Sequence, residues 1–497
     1  MELQYQSLES FCLVCHADFG QEETLESIVP DSFPDVSRIV SASGKAFLKT
    51  KETSEGVLRL TGTACVTVLY IPEGGLQACA LDVEIPFQLS KDFPKIKGGM
   101  PLHGSMSVVS ADARAINPRK LLIRCSLLCN AAVYGPNRKQ LTCDVISDEK
   151  APLEKQFVHY TTHKIFEVVE KDFLFSDVLK QMPSKPPMDE LMFYRMEVDT
   201  LEGKVIAKKL VCKGSASFVV LYRSGETLVP SRFELPYSQV IELSDEYLEA
   251  DAEPALAMKA VTCRLVDGEL EVSVEGVLQS CIWSQLPVTL LSDTYCTSAT
   301  VSADRERTSL CTLAEMGKRK NQVRQFCPSG IPGKQVLDCH ASVVSITEDH
   351  GNCSAQFNVD ILYLSEDDAL CSVNCTAETV CEVSDADQCT RRWNCRPVGE
   401  ASAVAVTGGL EVRFDAEFGW IQTKNEECSI VCAVNQDNKS DCKPRPSVVI
   451  RRVTQNETLW DVAKACGATV QDICQANGLT SETISGNTML LIPSKRS

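Results

Sequence analysis

Closely spaced cysteines are the first residues of this sequence whose types and spacing could do chemistry. Cys12, Cys15 and His16 form a Cys-x2-Cys-His run, which is the spacing of a metal knuckle or a redox pair. The segment CTRRWNC, residues 389–395, reads as a loop that could close on zinc or as a disulfide. A zinc site needs four ligands, and no second pair lies near Cys12 and Cys15 in sequence. We therefore expect buried or terminal thiols there, and zinc or a disulfide stays the alternative for residues 389–395.

The cysteine count is high for a chain of this kind. The chain has 25 cysteines in 497 residues, and thirteen of them fall between Cys296 and Cys442. An odd number, spread over a long chain, is typical of reduced thiols that pack as small hydrophobic residues. Within that set we expect Cys389, Cys395 and Cys442, as loop residues, to react before buried thiols do.

No arrangement of residues predicts catalysis. His159 and His163 have a spacing that would share a helix face, but no HExxH pattern accompanies them. The sequence also has no phosphate-binding glycine loop of the G-x4-G-K-[ST] type and no G-x-S-x-G nucleophile elbow. We expect a protein that is not an enzyme and that has no catalytic residue, no metal and no cofactor.

Charge and hydropathy limit the partners. Residues 447–497 carry five basic and four acidic side chains, so residues 1–446 have a net charge of −19. Such a surface repels nucleic acid at long range, and we expect none to bind. The sequence has no run of about 18 apolar residues, so we expect no transmembrane helix. The first residues have no basic segment followed by an apolar one, so we expect a cytoplasmic protein.

Three diverged copies of one sequence pattern make up most of the chain that carries these cysteines and histidines. The stretches TGTACVTVLY (61–70), KGSASFVVLY (213–222) and SAQFNVDILY (354–363) each alternate with period two and end in Leu-Tyr. A proline precedes the tyrosine by 36, 35 and 35 residues, namely Pro34, Pro187 and Pro328. A second apolar segment begins 51, 48 and 47 residues after it, at Leu121, Leu270 and Leu410. Three matched anchors indicate an internal repeat.

The repeat predicts the fold class. Each copy has about 110 to 120 residues of short strands, which is typical of an antiparallel sandwich. We predict a mainly β protein with three repeated antiparallel β-sandwich-like domains, followed by a small α+β domain. The predicted boundaries are an N-terminal segment at 1–27, repeats at 28–150, 151–290 and 291–430 (the last rich in cysteine), a linker at 431–447, and a final domain at 448–497.

The final domain is predicted to be β-α-α-β. VVIRRV (448–453) and MLLIP (489–493) read as strands. Between them, Thr458 suits a helix N-cap with Asp461 three residues later, and Gly467 suits the stop. The same design recurs with Thr469, Asp472 and Gly478 as cap, partner and stop.

These motifs resemble the LysM family. Thr458-Leu459-Trp460, Asn477-Gly478-Leu479 and Leu490-Leu491-Ile492-Pro493 stand where that family has its T-L-W, N-x-L and L-x-I-P signatures. The resemblance implies a groove for a partner or a glycan between the loops at 455–459 and 477–484. Its predicted residues are Gln455, Asn456, Glu457, Thr458, Leu459, Trp460, Asn477, Gly478, Leu479 and Ile484. Asn456 and Asn487 stand where glycine is common in the family, and the added side chain at Asn456 weakens the expectation of glycan binding.

The repeats resemble, more loosely, the SPOCS repeats of sporulation proteins. Three such copies followed by one LysM domain are similar to the SipL-type family of spore-coat morphogenesis proteins. That resemblance implies a cytoplasmic mother-cell protein at the forespore surface or spore coat. It also implies that the LysM domain binds the spore morphogenetic ATPase of the coat basement layer, with other coat proteins as further partners.

Three functions compete on the sequence. The first is a structural adaptor, the second a peptidoglycan- or chitooligosaccharide-binding wall protein, and the third an enzyme or metalloprotein built on the cysteine-rich third repeat. The N-terminal residues argue against the second and the missing motifs against the third. We expect the adaptor, with at most weak peptidoglycan binding, because one LysM groove lacks the avidity of several.

Overall fold

The computed structural model describes residues 1–75, 77–147, 153–384, 389–436, 448–455, 457–481 and 488–493. Within those ranges three units of six strands each are followed by a small terminal domain. Unit 1 contains β1 (Glu2–Ile28), β2 (Val36–Ser54), β3 (Val57–Pro72), β4 (Cys79–Asp92), β5 (Leu102–Asn117) and β6 (Lys120–Ile146). Unit 2 contains β7 (Leu153–Leu179), β8 (Glu190–Ile206), β9 (Lys209–Ser224), β10 (Thr227–Glu242), β11 (Asp251–Val266) and β12 (Glu269–Cys296).

Unit 3 and the terminal domain complete the chain. Unit 3 contains β13 (Val301–Pro328), β14 (Gly333–Asp349), β15 (Asn352–Ser365), β16 (Leu370–Glu382), β17 (Cys389–Val406) and β18 (Gly409–Gln436). The terminal domain contains β19 (Val448–Arg452), α1 (Leu459–Cys466), α2 (Val470–Asn477) and β20 (Met489–Pro493).

The three units have one topology. In each, the second, third and fourth strands form an antiparallel sheet, with orders β2-β3-β4, β10-β9-β8 and β14-β15-β16. The first, sixth and fifth strands form the other layer, and the first and sixth pair along nearly their whole length. Phe11 of β1 pairs with Ile165 of β7, which joins these layers of units 1 and 2 into one six-stranded sheet. The predicted fold class, three repeated antiparallel sandwiches and a βααβ domain, is therefore confirmed.

The Leu-Tyr motif holds each unit together and joins it to the others. Tyr70, Tyr222 and Tyr363 are buried, and each hydroxyl donates to a carbonyl oxygen of the loop before the second strand: Pro34 at 3.1 Å, Pro186 at 3.0 Å and Ile331 at 3.2 Å. The leucine before each tyrosine points the other way. Leu69, Leu221 and Leu362 lie in one buried cluster to which all three units contribute. Both faces of the motif strand are therefore covered, one within the unit and one between units.

Polar contacts accompany this shared cluster at every pair of units. Arg195 of unit 2 donates to both carboxylate oxygens of Asp338 of unit 3, at 2.8 and 2.9 Å. Lys51 of unit 1 donates to Gln279 of unit 2 at 2.6 Å. Ser372 of unit 3 donates to the carbonyl of Val40 of unit 1 at 2.5 Å. Each unit thus contacts both others.

The prediction of a loop at residues 389–395 is wrong. Cys389 begins β17, and Trp393 and Cys395 point into the core of unit 3 with 6% exposure each. Two arginines before Trp393 conceal the strand's alternation of apolar and polar residues in the sequence. In the fold both are paired, Arg391 with Glu348 and Arg392 with Glu253. Cys395 is consequently a core thiol. Cys389 is half-buried, and Cys442 lies outside the described residues. None of the cysteines in the described ranges is in a disulfide.

Candidate partner-binding domain

Local capping builds the two helices of the terminal domain as the sequence predicts. The Thr458 hydroxyl accepts from the backbone N–H of Asp461 at 3.2 Å, and the Asp461 carboxylate accepts from the backbone N–H of Thr458 at 3.0 Å. The hydrogen bonds that this carboxylate accepts from the Thr458 hydroxyl, at 2.6 Å, and from the Thr458 backbone N–H hold the pKa of Asp461 below its usual range. Gly467 ends α1 at φ 64°, in the left-handed region that favours glycine. The capping-box prediction for α1 is confirmed.

The second helix and the sheet complete the domain core. Thr469 caps α2 by accepting from the N–H of Asp472 at 3.0 Å, and Gly478 ends it at φ 64°. Leu459, Val462 and Ala463 of α1 pack with Ile473 of α2 and with the inward side chains of β20. These three residues are the buried face of α1.

The predicted groove residues divide into surface and structural ones. Gln455, Thr458 and Gly478 are exposed, and these three residues are called the rim below. Leu459 is 1% exposed and belongs to the domain core, against which Leu479 packs half-buried. Asn456 and Ile484 lie outside the described residues.

Two other groove residues use their polar groups internally. The Asn477 amide donates to the carbonyls of Ile473 at 2.8 Å and Leu491 at 2.7 Å, and its oxygen accepts from the Leu491 N–H at 2.8 Å. Glu457 accepts from Arg451 at 2.5 Å and from the N–H of Thr454 at 3.0 Å. The backbone hydrogen bond from Thr454 holds the pKa of Glu457 low. These side chains position the rim rather than line it.

Trp460 contacts unit 2. Its indole N–H donates to the carboxylate of Asp293 in β12 at 2.7 Å, and its ring packs edge-on against Tyr295 at a centroid distance of 4.8 Å. Lys464, one turn later in α1, donates to both oxygens of Asp293 at 2.7 and 2.8 Å. The Tyr295 hydroxyl donates to the carbonyl of Ala468 at 2.8 Å. Helix α1 is therefore docked on the end of β12.

Asp293 is the centre of this contact. Its side chain is 1% exposed, and Arg305 of unit 3 adds an ion pair at 2.5 Å. Burial by itself would raise the pKa of the carboxyl, but the hydrogen bonds from Lys464, Trp460 and Arg305 hold it below its usual range. Asp293 is thus an ionised buried carboxylate that joins units 2 and 3 to the terminal domain. The sequence contains no signal for this contact, because Asp293 and Trp460 are 167 residues apart.

The outer face of the terminal sheet is apolar and open. Val448 and Ile450 of β19 are 49% and 66% exposed, and Leu491 and Met489 of β20 are 39% and 60% exposed. Ile450 and Leu491 are register partners, so these side chains form one surface. The domain therefore presents two accessible surfaces, the rim and this sheet face.

Two features are absent from the described ranges. No group of three or more His, Cys, Asp or Glu residues is arranged to hold a metal ion in this part of the chain. Among the helices that the structure describes, none has the length and hydropathy to cross a membrane.

Comparisons with known proteins bear on the terminal domain. No curated protein and no solved structure matches the chain. Residues 452–493 match the family model described as LysM domain. A LysM domain suggests binding of carbohydrate such as peptidoglycan, or an adaptor role. The β-α-α-β segment docked on Asp293 is a LysM domain.

Proposed function

We propose that this protein is a non-enzymatic adaptor in endospore coat assembly. In this proposal the three units are SPOCS-like repeats of the SipL type, and the protein acts in the mother-cell cytoplasm at the forespore surface. Its LysM domain binds the morphogenetic ATPase of the coat basement layer, and the acidic units provide surface for other coat proteins. The order of three similar units before one LysM domain supports this assignment.

The observation that best supports the adaptor function is the set of contacts that Trp460 makes. An aromatic ring at the edge of a sugar groove would serve as a stacking platform, but this indole donates to Asp293 and packs on Tyr295. Helix α1, which bears Trp460, packs on unit 2, so the LysM domain is held in a fixed position on the array of three units. The rim at Gln455, Thr458 and Gly478 stays exposed. A rigid array that presents one recognition surface is suited to joining two proteins.

Glycan binding is the second candidate, favoured by the family match and by the open rim. A single shallow groove without avidity binds weakly. The two candidates share the rim but differ in the ligand. A measurement with both ligands on the same variants therefore separates them.

The experiment uses the full chain and a matched pair of variants. Gln455 and Gln471 are both exposed glutamines of the LysM domain, but only Gln455 lies in the rim. We expect Gln455→Arg to weaken binding of the purified ATPase by about tenfold, the effect of losing one substantial interface contact, and Gln471→Arg to leave it unchanged. Binding to purified peptidoglycan is measured on the same proteins.

One outcome would contradict the adaptor function, and another would contradict the rim as its interface. Micromolar peptidoglycan binding that Gln455→Arg abolishes, with no affinity for the ATPase, would support the wall-binding function instead. Loss of ATPase binding in Ile450→Glu but not in Gln455→Arg would move the interface to the apolar sheet face. A pull-down from sporulating cells with the full chain, and with a chain lacking residues 448–497, tests whether the LysM domain is needed at all.

A further inference from the structure

Two cysteines of unit 3 face each other across adjacent strands. Cys353 of β15 and Cys381 of β16 are register partners in the antiparallel ladder, and they are 0% and 1% exposed. Directly opposed residues have Cα atoms about 4.5–5.5 Å apart and side chains on the same face of the sheet. Disulfides span Cα separations of about 4.4–6.8 Å. The Cα separation expected of register partners therefore falls within the range that a disulfide can span.

This pair is particular to unit 3. The equivalent ladder position in the other units lies one residue in from the turn that joins the second and third strands. In unit 1 this position holds Leu58 opposite Lys91. In unit 2 it holds Leu210 opposite Ile241. The fold thus accepts larger side chains here, and packing alone does not require two thiols.

The position in the sheet gives an oxidant a route to the pair. β16 is an edge strand of the sheet β14-β15-β16, and Cys381 is its next-to-last residue. Strand ends at a sheet edge open locally at low cost. Burial raises the pKa of Cys353 to about 12 and also raises that of Cys381, but Arg319 beside Cys381 acts in the opposite direction. Arg319 is held there by donating to the carbonyl of Glu382 at 2.8 Å.

We propose that Cys353 and Cys381 are an oxidisable dithiol. A low-molecular-weight disulfide such as oxidised glutathione is the oxidant, and a disulfide between the two cysteines is the product. When the end of β16 opens, the Cys381 thiolate attacks the oxidant, forms a mixed disulfide and releases one glutathione thiolate. The Cys353 thiolate then attacks the sulfur of Cys381, which releases the second. Two protein thiols lose two electrons and two protons, and one oxidised glutathione becomes two reduced molecules.

Cys395 is the competing partner. It lies in the same buried cluster, and its environment includes both thiols. It belongs to β17, however, in the opposite layer of the sandwich, whereas Cys353 and Cys381 are on neighbouring strands. The ladder register therefore favours the cross-strand bond over either bond to Cys395.

The test uses the full-length native protein incubated with oxidised glutathione, alkylated and digested at glutamate. Cleavage at Glu348, Glu366, Glu378 and Glu382 places Cys353 in 349–366 and Cys381 in 379–382, each as the sole cysteine. Cys395 falls in a third peptide, 383–400. We expect a disulfide-linked pair of the first two peptides and loss of two hydrogens in the intact mass. Cys212→Ser, a buried thiol opposite Gln239, should leave the yield unchanged.

Several results would overturn the proposal. A link from 349–366 to 383–400, a glutathione adduct that never resolves in the unsubstituted protein, or no product would each do so. Cys353→Ser should stop the reaction at a stable glutathione adduct on Cys381. If that variant does not fold, the digest of the unsubstituted protein decides alone.

Discussion

Replacing the buried carboxylate that anchors the LysM domain should release that domain from the array. In Asp293→Asn, the four contacts from Trp460, Lys464 and Arg305 lose their charged acceptor while the side-chain volume hardly changes. Breaking a buried ion pair by removing one partner costs about 3–5 kcal/mol. The Lys464 and Arg305 side chains are 33% and 45% exposed, so water partly compensates both cations. We therefore expect about 2–3 kcal/mol, which is roughly a 30- to 150-fold loss in the docking equilibrium.

Unit 1 supplies a matched control for this substitution. Asp144 occupies the same place in β6 as Asp293 does in β12: each follows a bulge, pairs with a glutamine and accepts from the next backbone N–H. Asp144 pairs with Lys155 and not with the LysM domain. Asp144→Asn should therefore leave docking unchanged.

Hydrogen exchange is the assay, read on the peptide that covers α1. The amides of Leu459–Cys466 should exchange faster in Asp293→Asn and at the unsubstituted rate in Asp144→Asn, while amides of β15 should not change in either. A double-mutant cycle with Lys464→Met then isolates the charge pair. Unchanged exchange of α1 in Asp293→Asn, or an additive cycle, would refute the reasoning that this carboxylate holds the domain.

The remaining predictions concern the units, the cap and pH. Leu221→Ala should cost about 2–5 kcal/mol in urea unfolding because it leaves a cavity in the shared cluster, whereas Leu248→Ala, at a side chain 79% exposed, should change little. Tyr222→Phe should cost about 1 kcal/mol in the same assay, the worth of its hydrogen bond to the loop. Thr458→Ala should cost about 0.5–2 kcal/mol by removing the α1 cap, measured as faster exchange of the first turn. Because the pKa of Asp293 is lowered from 3.8, docking should be complete above that value and be lost as the pH falls below it, as α1 exchange in acid will show.

Local patterns made the motif strands, the copy number and the helix caps predictable, but the prediction of short strands is wrong, because the strands of the units have 13 to 28 residues. Period-two alternation and matched anchors identified the motif strands, because a strand must bury one face whatever lies elsewhere in the chain. The helix caps of the LysM domain were equally local, since Thr458 and Asp461 are three residues apart. Contacts within a few residues leave a trace in the sequence.

Contacts between distant elements left no such trace. Period-two alternation puts Leu69 on the opposite face from Tyr70, but that this face is buried follows only from the meeting of three units. Arg391 and Arg392 made 389–395 look like a loop, because a charged pair reads as solvated until its partners Glu348 and Glu253 are known. The docking of Trp460 on Asp293 is of the same kind, and it changes what the family motif implies for this chain.

The shared leucine cluster fixes the number of copies. In a solenoid each repeat contacts only its neighbours, so repeats can be gained or lost at either end. Here Leu69, Leu221 and Leu362 converge on one centre, and every unit contacts both others. A fourth copy would find no place at that centre, and a chain with two copies would leave a third of it open to water. The shared centre is therefore filled by three copies, and the domain that follows them, LysM, is of a different kind.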